Sequence, residues 1–302
     1  MVALRFNYVI IIARGDPMKN YTALIIDLKK SRSYSVEDRN SIQKYIISVI
    51  RSLNEVFAGS IARDIEFSSG DEVQGLFLSP ESAFLYFRIF KMLVFPVRAR
   101  AGIGMGEWNV IIENASITAQ DGPAFHNARY AIESAKGALG YSVLFYSGGE
   151  VDLFLNSIIN TSFVLASSHN IYHNELMLLL ELLCPIDYRQ LINQSKINLI
   201  FNLAASRRDN RYYKKIYRKS KSIKRYPFDY IDAMNFEPTP IEAIDDNSIL
   251  YVSSGSKRGV PVQLSEILNI SRQSVDKTIK TANIYEIRNL TIAALKFMDK
   301  FL

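Results

Sequence analysis

Between residues 21 and 146 short apolar runs alternate with amphipathic ones, and their order leaves few folds open. "YTALIID" reads as an apolar strand ending in an acid. "SVEDRNSIQKYIISVIRSLNEVF" has the helical period and opens on Ser35 with Asp38 three residues on, a capping-box pattern. "IARDIEFS" and "VQGLFL" alternate as two strands around a Ser-Ser-Gly turn. "SPESAFLYFRIFKMLVF" is a second helix, started by Ser79 and Pro80. "VRARAGIGMGEW" is a strand whose glycines, Gly104 and Gly106 among them, permit close backbone approach. "DGPAFHNARYAIESAK" is a third helix with Asp121 as its cap, and "YSVLFY" a closing strand. This order predicts an α+β fold: an antiparallel sheet covered by helices on one face, in the split βαβ, ferredoxin-like arrangement.

The pattern divides the 302 residues into four parts. The sheet domain spans 18–148. A helical region follows over 149–206, around "NELMLLLELL" and "DYRQLINQSKINLIFNLAAS". Residues 207–248 read as a basic link and irregular segment, and 249–302 as a helix-turn-helix domain. The first clean strand begins just after Met18, which makes Met18 the expected natural start.

Charge is concentrated. The whole chain carries +6, but "RRDNRYYKKIYRKSKSIKR" (Arg207 to Arg225) holds ten Lys/Arg and one acid, so this stretch alone is +9 and the remainder −3. The single cysteine, Cys184, excludes an intramolecular disulfide and a cysteine zinc site, which points to a reducing compartment. No apolar run approaches the ~20 residues of a membrane span, so the expected location is the cytoplasm.

The stretch "EFSSGDEVQGLF" poses the functional question. A hairpin tip needs Gly70 and a polar residue for its backbone, but not a second acid, since adjacent like charges repel unless something positive lies between them. Asp27 raises the same point, because an acid at the end of an apolar strand has little packing use. Nucleotidyl or phosphoryl transfer requires charge on phosphate oxygens to be neutralised, usually by Mg²⁺. Mg²⁺ prefers carboxylates and retained water. Pairing of the first strand with the hairpin would bring Asp27 to Asp71 and Glu72, a metal set that Mn²⁺ would also suit. Ser31 and Arg32 follow Asp27 in a loop able to hold phosphates. The plainer alternative makes these turn acids and a surface loop, with Arg129 pairing only with Glu133 one turn on.

"ALIIDLKKSR", "DRNSIQ", "SSGDEVQGLF", "RARAGIGMGEW" and "DGPAFHNARYAI", in that order and spacing, resemble the SatD family. That family is similar in turn to the palm-type domains of class III nucleotide cyclases and diguanylate cyclases. The resemblance covers roughly the first half of the chain, and the C-terminal helix-turn-helix resembles the tail of many SatD-like proteins. It implies Asp27, Asp71 and Arg129 as catalytic residues if the protein is an enzyme, with Asp27, Asp71 and Glu72 on the metal. Ser31, Arg32, Gly70 and Glu72 would contact the nucleotide. The pattern also departs from its relatives. Ile26 stands where SatD-like proteins usually have Gly, and Ser69 and Val73 where diguanylate cyclases have Gly and Phe. Phe125 stands where class III cyclases place an Asn four residues before the helix Arg.

In "QLSEILNISRQSVDKTIKTA", Leu264, Ile267, Leu268 and Ile270 supply a core, Asn269 suits a left-handed turn, and Val275 and Ile279 bury the second helix. Arg272, Gln273, Ser274, Lys277 and Lys280 would then face DNA. Such modules also dimerise, so a homodimer is the competing use. His169 and His173 have i, i+4 spacing but no third ligand, so a polar helix surface is expected. Tyr212, Tyr213 and Tyr217, interleaved with basic residues, suit either nucleobase stacking or a solvated basic helix.

Two functional readings follow. One is Mg²⁺-dependent binding of a nucleoside triphosphate by a palm domain, with nucleotidyl transfer or nucleotide-signal synthesis, coupled to the helix-turn-helix. The other is a DNA-binding regulator whose palm domain senses a nucleotide without catalysis.

Overall fold

β1 (Tyr21–Leu28) is the middle strand of a five-stranded mixed sheet of order β2-β3-β1-β4-β5. The computed structural model describes residues 19–137, 141–221, 228, 230–242 and 250–302. The expected start at Met18 lies outside these residues, as does the end of the basic run beyond residue 221.

α1 (Val36–Val56) carries the chain from β1 to β2 (Ile61–Ser69), which returns through a tight turn as β3 (Glu72–Phe77). α2 (Pro80–Val94) leads to β4 (Ala99–Gly106), and α3 (Pro123–Gly137) to β5 (Val143–Tyr146). Two helix starts are those the sequence dictates. Ser35 Oγ accepts from the Asp38 N–H at 3.2 Å, and Ser79 Oγ from the Ser82 N–H at 3.3 Å with Pro80 in the first turn. Asp121, by contrast, does not cap α3: its Oδ1 accepts from the Gly122 N–H at 2.8 Å, and the Phe125 and His126 N–H groups bond the Gly122 carbonyl instead. β1 pairs antiparallel with β3 and with β4, so two β-α-β units interlock.

Two expectations fail here. The sheet is mixed, because β5 runs parallel to β4, and helices cover both of its faces. Leu24, Ile26 and Leu28 join α1 and α2 in one core, whereas Ala23 and Ile25 join Ala124, Ala128 and Ile132 of α3 in another. The unbroken apolar run of β1 has this cause: a strand buried on both faces does not alternate. β4 lets α3 approach by omitting side chains. A Cβ on Gly104 would lie 2.5 Å from the Ala124 carbonyl oxygen, and one on Gly102 would lie 2.8 Å from the Ile132 Cβ.

The remaining helices join the α1–α2 core in a single apolar cluster. They are α4 (Asp152–Ala166), α5 (Ile171–Leu183), α6 (Ile197–Ser206), α7 (Arg211–Lys219), a single turn α8 (Tyr230–Ala233), α9 (Val260–Leu268), α10 (Arg272–Thr281) and α11 (Ile284–Phe301). A short parallel pair, β6 (Ile186–Asp187) with β7 (Ile241–Glu242), stands apart from the main sheet. No helix among the described residues is long and apolar enough to cross a membrane.

The basic segment is not an irregular link where it is described. α7 is helical, and its tyrosines face inward: Tyr212, Tyr213 and Tyr217 are all buried, which removes them from nucleobase stacking. Tyrosines at i, i+1 and i+5 make one apolar stripe, and the lysines and arginines between them take the outer face. Arg207 is wholly buried, its guanidinium on Glu175, whose carboxylate also accepts from the Tyr217 and Tyr230 hydroxyls at 2.6 Å each. A second buried carboxylate on α5, Glu181, holds Arg288 of α11 and lies 2.8 Å from Arg88 of α2. These two glutamates tie the C-terminal helices to the sheet domain.

Of the two histidines, His169 does not belong to a polar helix surface, while His173 is half-buried on α5. His169 precedes α5, is buried, and bonds the Ala282 carbonyl oxygen at 2.7 Å, fastening the α4–α5 turn to the turn between α10 and α11.

Candidate functional site

The antiparallel register places Asp27 of β1 directly opposite Glu72 of β3 on one side and Arg100 of β4 on the other. Residues opposed in this way project to the same face, here the α3 face that Ala23 and Ile25 also share. The hairpin turn lies just beyond. Ser69 pairs with Glu72, leaving Gly70 at φ 59 and Asp71 as the two turn residues. Glycine takes this left-handed conformation at no steric cost. Asp27, Asp71 and Glu72 are thus brought to one end of the sheet.

Each of the two strand carboxylates meets an arginine. Arg100 Nε donates to Asp27 Oδ2 at 2.8 Å, and among the described residues no donor is on Oδ1. Arg129, from α3, clasps Glu72 with both ends of its fork, Nη1 to Oε2 at 2.6 Å and Nη2 to Oε1 at 2.7 Å. Ser68 Oγ adds a third donor to Oε1 at 3.1 Å. Burial alone would raise the Glu72 carboxyl, but the Arg129 hydrogen bonds and charge, with Ser68, hold it below the usual carboxylate value. The same clasp raises Arg129 further. Arg129 therefore reaches across to the sheet; Glu133 bonds Lys136 at 2.6 Å instead.

Ser31 and Arg32 sit in a 3-10 turn, Ser31–Ser33, that follows Lys30 at φ 57. This turn leaves the same end of β1 that carries Asp27, and Arg32 is exposed on it. Among the described residues no three acids, histidines or cysteines gather into a metal cage. The arrangement is two carboxylates countered by two guanidiniums, with a third acid at the tip.

Sequence reasoning missed Arg100, although "VRARAG" offered a signal: a cation at the start of the strand that flanks Asp27. It also missed the neighbouring Lys29, whose N–H donates to the Arg98 carbonyl at 2.7 Å and whose Nζ reaches the Tyr141 carbonyl oxygen at 3.3 Å.

The C-terminal helices carry the second set of candidates. Ser271 caps α10, accepting from the Ser274 N–H at 3.2 Å, and Asn269 ends α9 in the left-handed region at φ 48. Leu264, Leu268, Val275 and Ile279 are buried, while Arg272, Gln273, Ser274, Lys277 and Lys280 are all exposed. Arg272 lies 3.6 Å from Asp276 one turn on.

The sequence model of the SatD family matches residues 21–234, well over half of the chain, and the chain belongs to that family. The match takes in the five-stranded sheet, α1 to α8 and every residue of the Asp27 site. Among curated proteins none matches the chain.

Proposed function

We propose that this SatD-family chain binds a nucleoside triphosphate with Mg²⁺ at the Asp27–Asp71 end of its sheet, through a palm-type domain similar to those of nucleotide cyclases. The observation that carries the reading is the register of Asp27 against Glu72, with Asp71 in the adjoining turn. Acids from two adjacent strands on one end of one face, with a third in the turn, are more negative charge than a hairpin turn requires. The donor set fits the ion. Mg²⁺ on a triphosphate takes one or two carboxylates, the rest being phosphate oxygens and water. Asp27 Oδ1 and the Asp71 carboxylate would supply those two. When bound, the ion would neutralise phosphate charge. Ser31, Arg32 and the backbone of the turn at Gly70 would hold the phosphates, with Arg129 released toward them when Glu72 gives up its clasp.

A second reading is favoured by one observation: both strand carboxylates are engaged by arginines, Asp27 by Arg100 and Glu72 by Arg129. A site so neutralised suits a nucleotide sensor that does not turn over. In that reading α9 and α10 form a helix-turn-helix, the exposed face of α10 contacts DNA, and nucleotide binding regulates it. In the first reading the same site performs nucleotidyl transfer and makes a nucleotide signal.

Equilibrium titration with each nucleoside triphosphate, with and without Mg²⁺ or Mn²⁺, tests the shared claim. Release of pyrophosphate with a phosphodiester product selects the enzyme. Metal-dependent binding without turnover selects the sensor, and absence of metal-dependent binding removes both.

A further inference from the structure

A cavity of about 550 Å³ opens between α2, α4, α5 and the loop leading into β4, with none of Asp27, Asp71 and Glu72 on its wall. Its wall is unusual in charge. Lys29, Arg88, Lys91 and Arg98 line it together with His169, and among the described residues no aspartate or glutamate does. The rest is apolar or neutral, with Phe95, Val97, Phe163 and Met177 beside Ser142 and Asn174.

Two of the cations, Lys91 and Arg98, have no carboxylate on them among the described residues. Lys91 Nζ donates to Ser142 Oγ at 2.6 Å and lies 4.5 Å from the Phe163 ring centre, with no carboxylate of the described residues on it. Lys29 Nζ meets a carbonyl oxygen, and Arg98 is exposed at the mouth. Arg88 is 3% exposed and its Nη1 pairs with Glu181 Oε1 at 2.8 Å, while its Nε and Nη2 are buried without a hydrogen-bond partner among the described residues. Burying a donor unsatisfied is costly, and cations held together repel. A fold that assembles them around a concave, largely apolar space has the composition of a ligand site, and the volume lies within the usual ~300–1,000 Å³.

We propose that this cavity binds a small organic anion, a phosphate or carboxylate head on an apolar body, at a site separate from the Asp27–Asp71 end. The head sits among Lys29, Lys91 and Arg98, and the body lies against Phe95, Val97 and Phe163. Ile287 of α11 also lines the cavity, next to Arg288, which is paired with Glu181. The ligand therefore touches the sheet domain and the C-terminal helices together. This inference stands independently of the nucleotide reading.

Calorimetric titration of the full chain with phenyl phosphate, phenylacetate and inorganic phosphate tests it. Saturable binding of phenyl phosphate or phenylacetate is expected, tighter than for inorganic phosphate, and the tighter of the two names the head group. Lys91→Met should weaken it by at least about tenfold, the loss of one charge-assisted hydrogen bond. Arg98→Gln, at an exposed position that leaves the core intact, should weaken it as well, and Asp71→Ala should leave it unchanged. No saturable binding of any probe overturns the proposal, as does wild-type affinity in both Lys91→Met and Arg98→Gln. Displacement of the probe by Mg²⁺-nucleotide would overturn the separateness of the site.

Discussion

Glu72 and Arg129 hold each other in a two-point clasp, 2.6 and 2.7 Å, that joins the hairpin strand β3 to helix α3. While it is closed, both Glu72 oxygens are occupied, and Glu72 serves as the guanidinium's anchor. Opening it would free one ligand for a metal and one cation for phosphate at the same moment. The clasp is thus the element whose two states would distinguish an empty site from a loaded one.

Arg129→Met removes the cation and leaves Glu72 free. The Glu72 carboxyl should titrate at a higher pH than in the wild type, and Mn²⁺ should bind severalfold more tightly in the absence of nucleotide. NMR titration of the carboxyl carbons and Mn²⁺ broadening read both quantities. Because the clasp depresses the folded-state value of Glu72, its stabilisation is complete above the ordinary carboxylate range and is lost as pH falls through the depressed value. The melting temperatures of wild type and Arg129→Met should therefore converge in acid.

The buried Glu175–Arg207 pair gives a stability prediction. Arg207→Met strands a buried carboxylate that keeps only its two tyrosine donors, and removal of one partner of such a pair costs about 3–5 kcal/mol. Arg207→Met with Glu175→Gln should recover part of that stability. Denaturant melts of the four proteins in the cycle measure it; additive effects would mean that the two residues do not act on each other.

Lys91 predicts a pH dependence. Burial first, then the charges of Lys29 and Arg98, lower its pKa from 10.5 to about 7. Below about 7 both folded and unfolded chains carry the charge, and the full penalty applies. Between about 7 and 10.5 the unfolded chain binds a proton that the folded chain does not, so stability rises with pH. The other groups facing Lys91 are the Arg88 guanidinium and His169, which burial holds below its usual value. Subtracting the melting curve of Lys91→Met from that of the wild type isolates the Lys91 contribution, which should climb through this window and be flat below it.

On DNA the two basic surfaces should behave differently. Arg272 and Gln273 open α10, so replacing either should cost ~1–3 kcal/mol and relax sequence preference. Lys214, Arg218 and Lys219 line the outer face of α7. Neutralising them should weaken binding to all sequences alike and flatten the salt dependence by ~0.9 for each phosphate no longer neutralised. Filter binding at several salt concentrations reads both. No affinity even at low salt would make α9 and α10 an assembly element.

Short-range signals in the sequence carried well into the structure. Ser35 and Ser79 cap their helices, the glycines of β4 admit α3, and Asn269 takes the left-handed turn, because each depends on neighbours within a few residues. The pairing of Asp27 with the hairpin was legible for the same reason: the turn fixes β3, and β3 is the strand left to lie beside β1. What stayed hidden depends on distant partners. Arg100 is far from Asp27 in the chain and Arg129 far from Glu72, so neither ion pair leaves a local pattern. The two glutamates inside "NELMLLLELL" likewise lie on Arg207 and Arg288, cations far away in the chain that no local pattern marks. The inward face of α7 was masked by its charge, since its tyrosines read as easily for stacking as for a core.

The central claim is that Asp27 and Asp71 bind a metal–nucleotide together, and one calorimetric series tests it most directly. Wild type, Asp27→Ala and Asp71→Ala are titrated with ATP and with GTP, with Mg²⁺ and with chelator. Wild type should bind at least one of the two only when Mg²⁺ is present, and both substitutions should nearly abolish that binding, because triphosphate charge is then left unscreened. Equal, Mg²⁺-independent affinity in all three proteins would contradict the account.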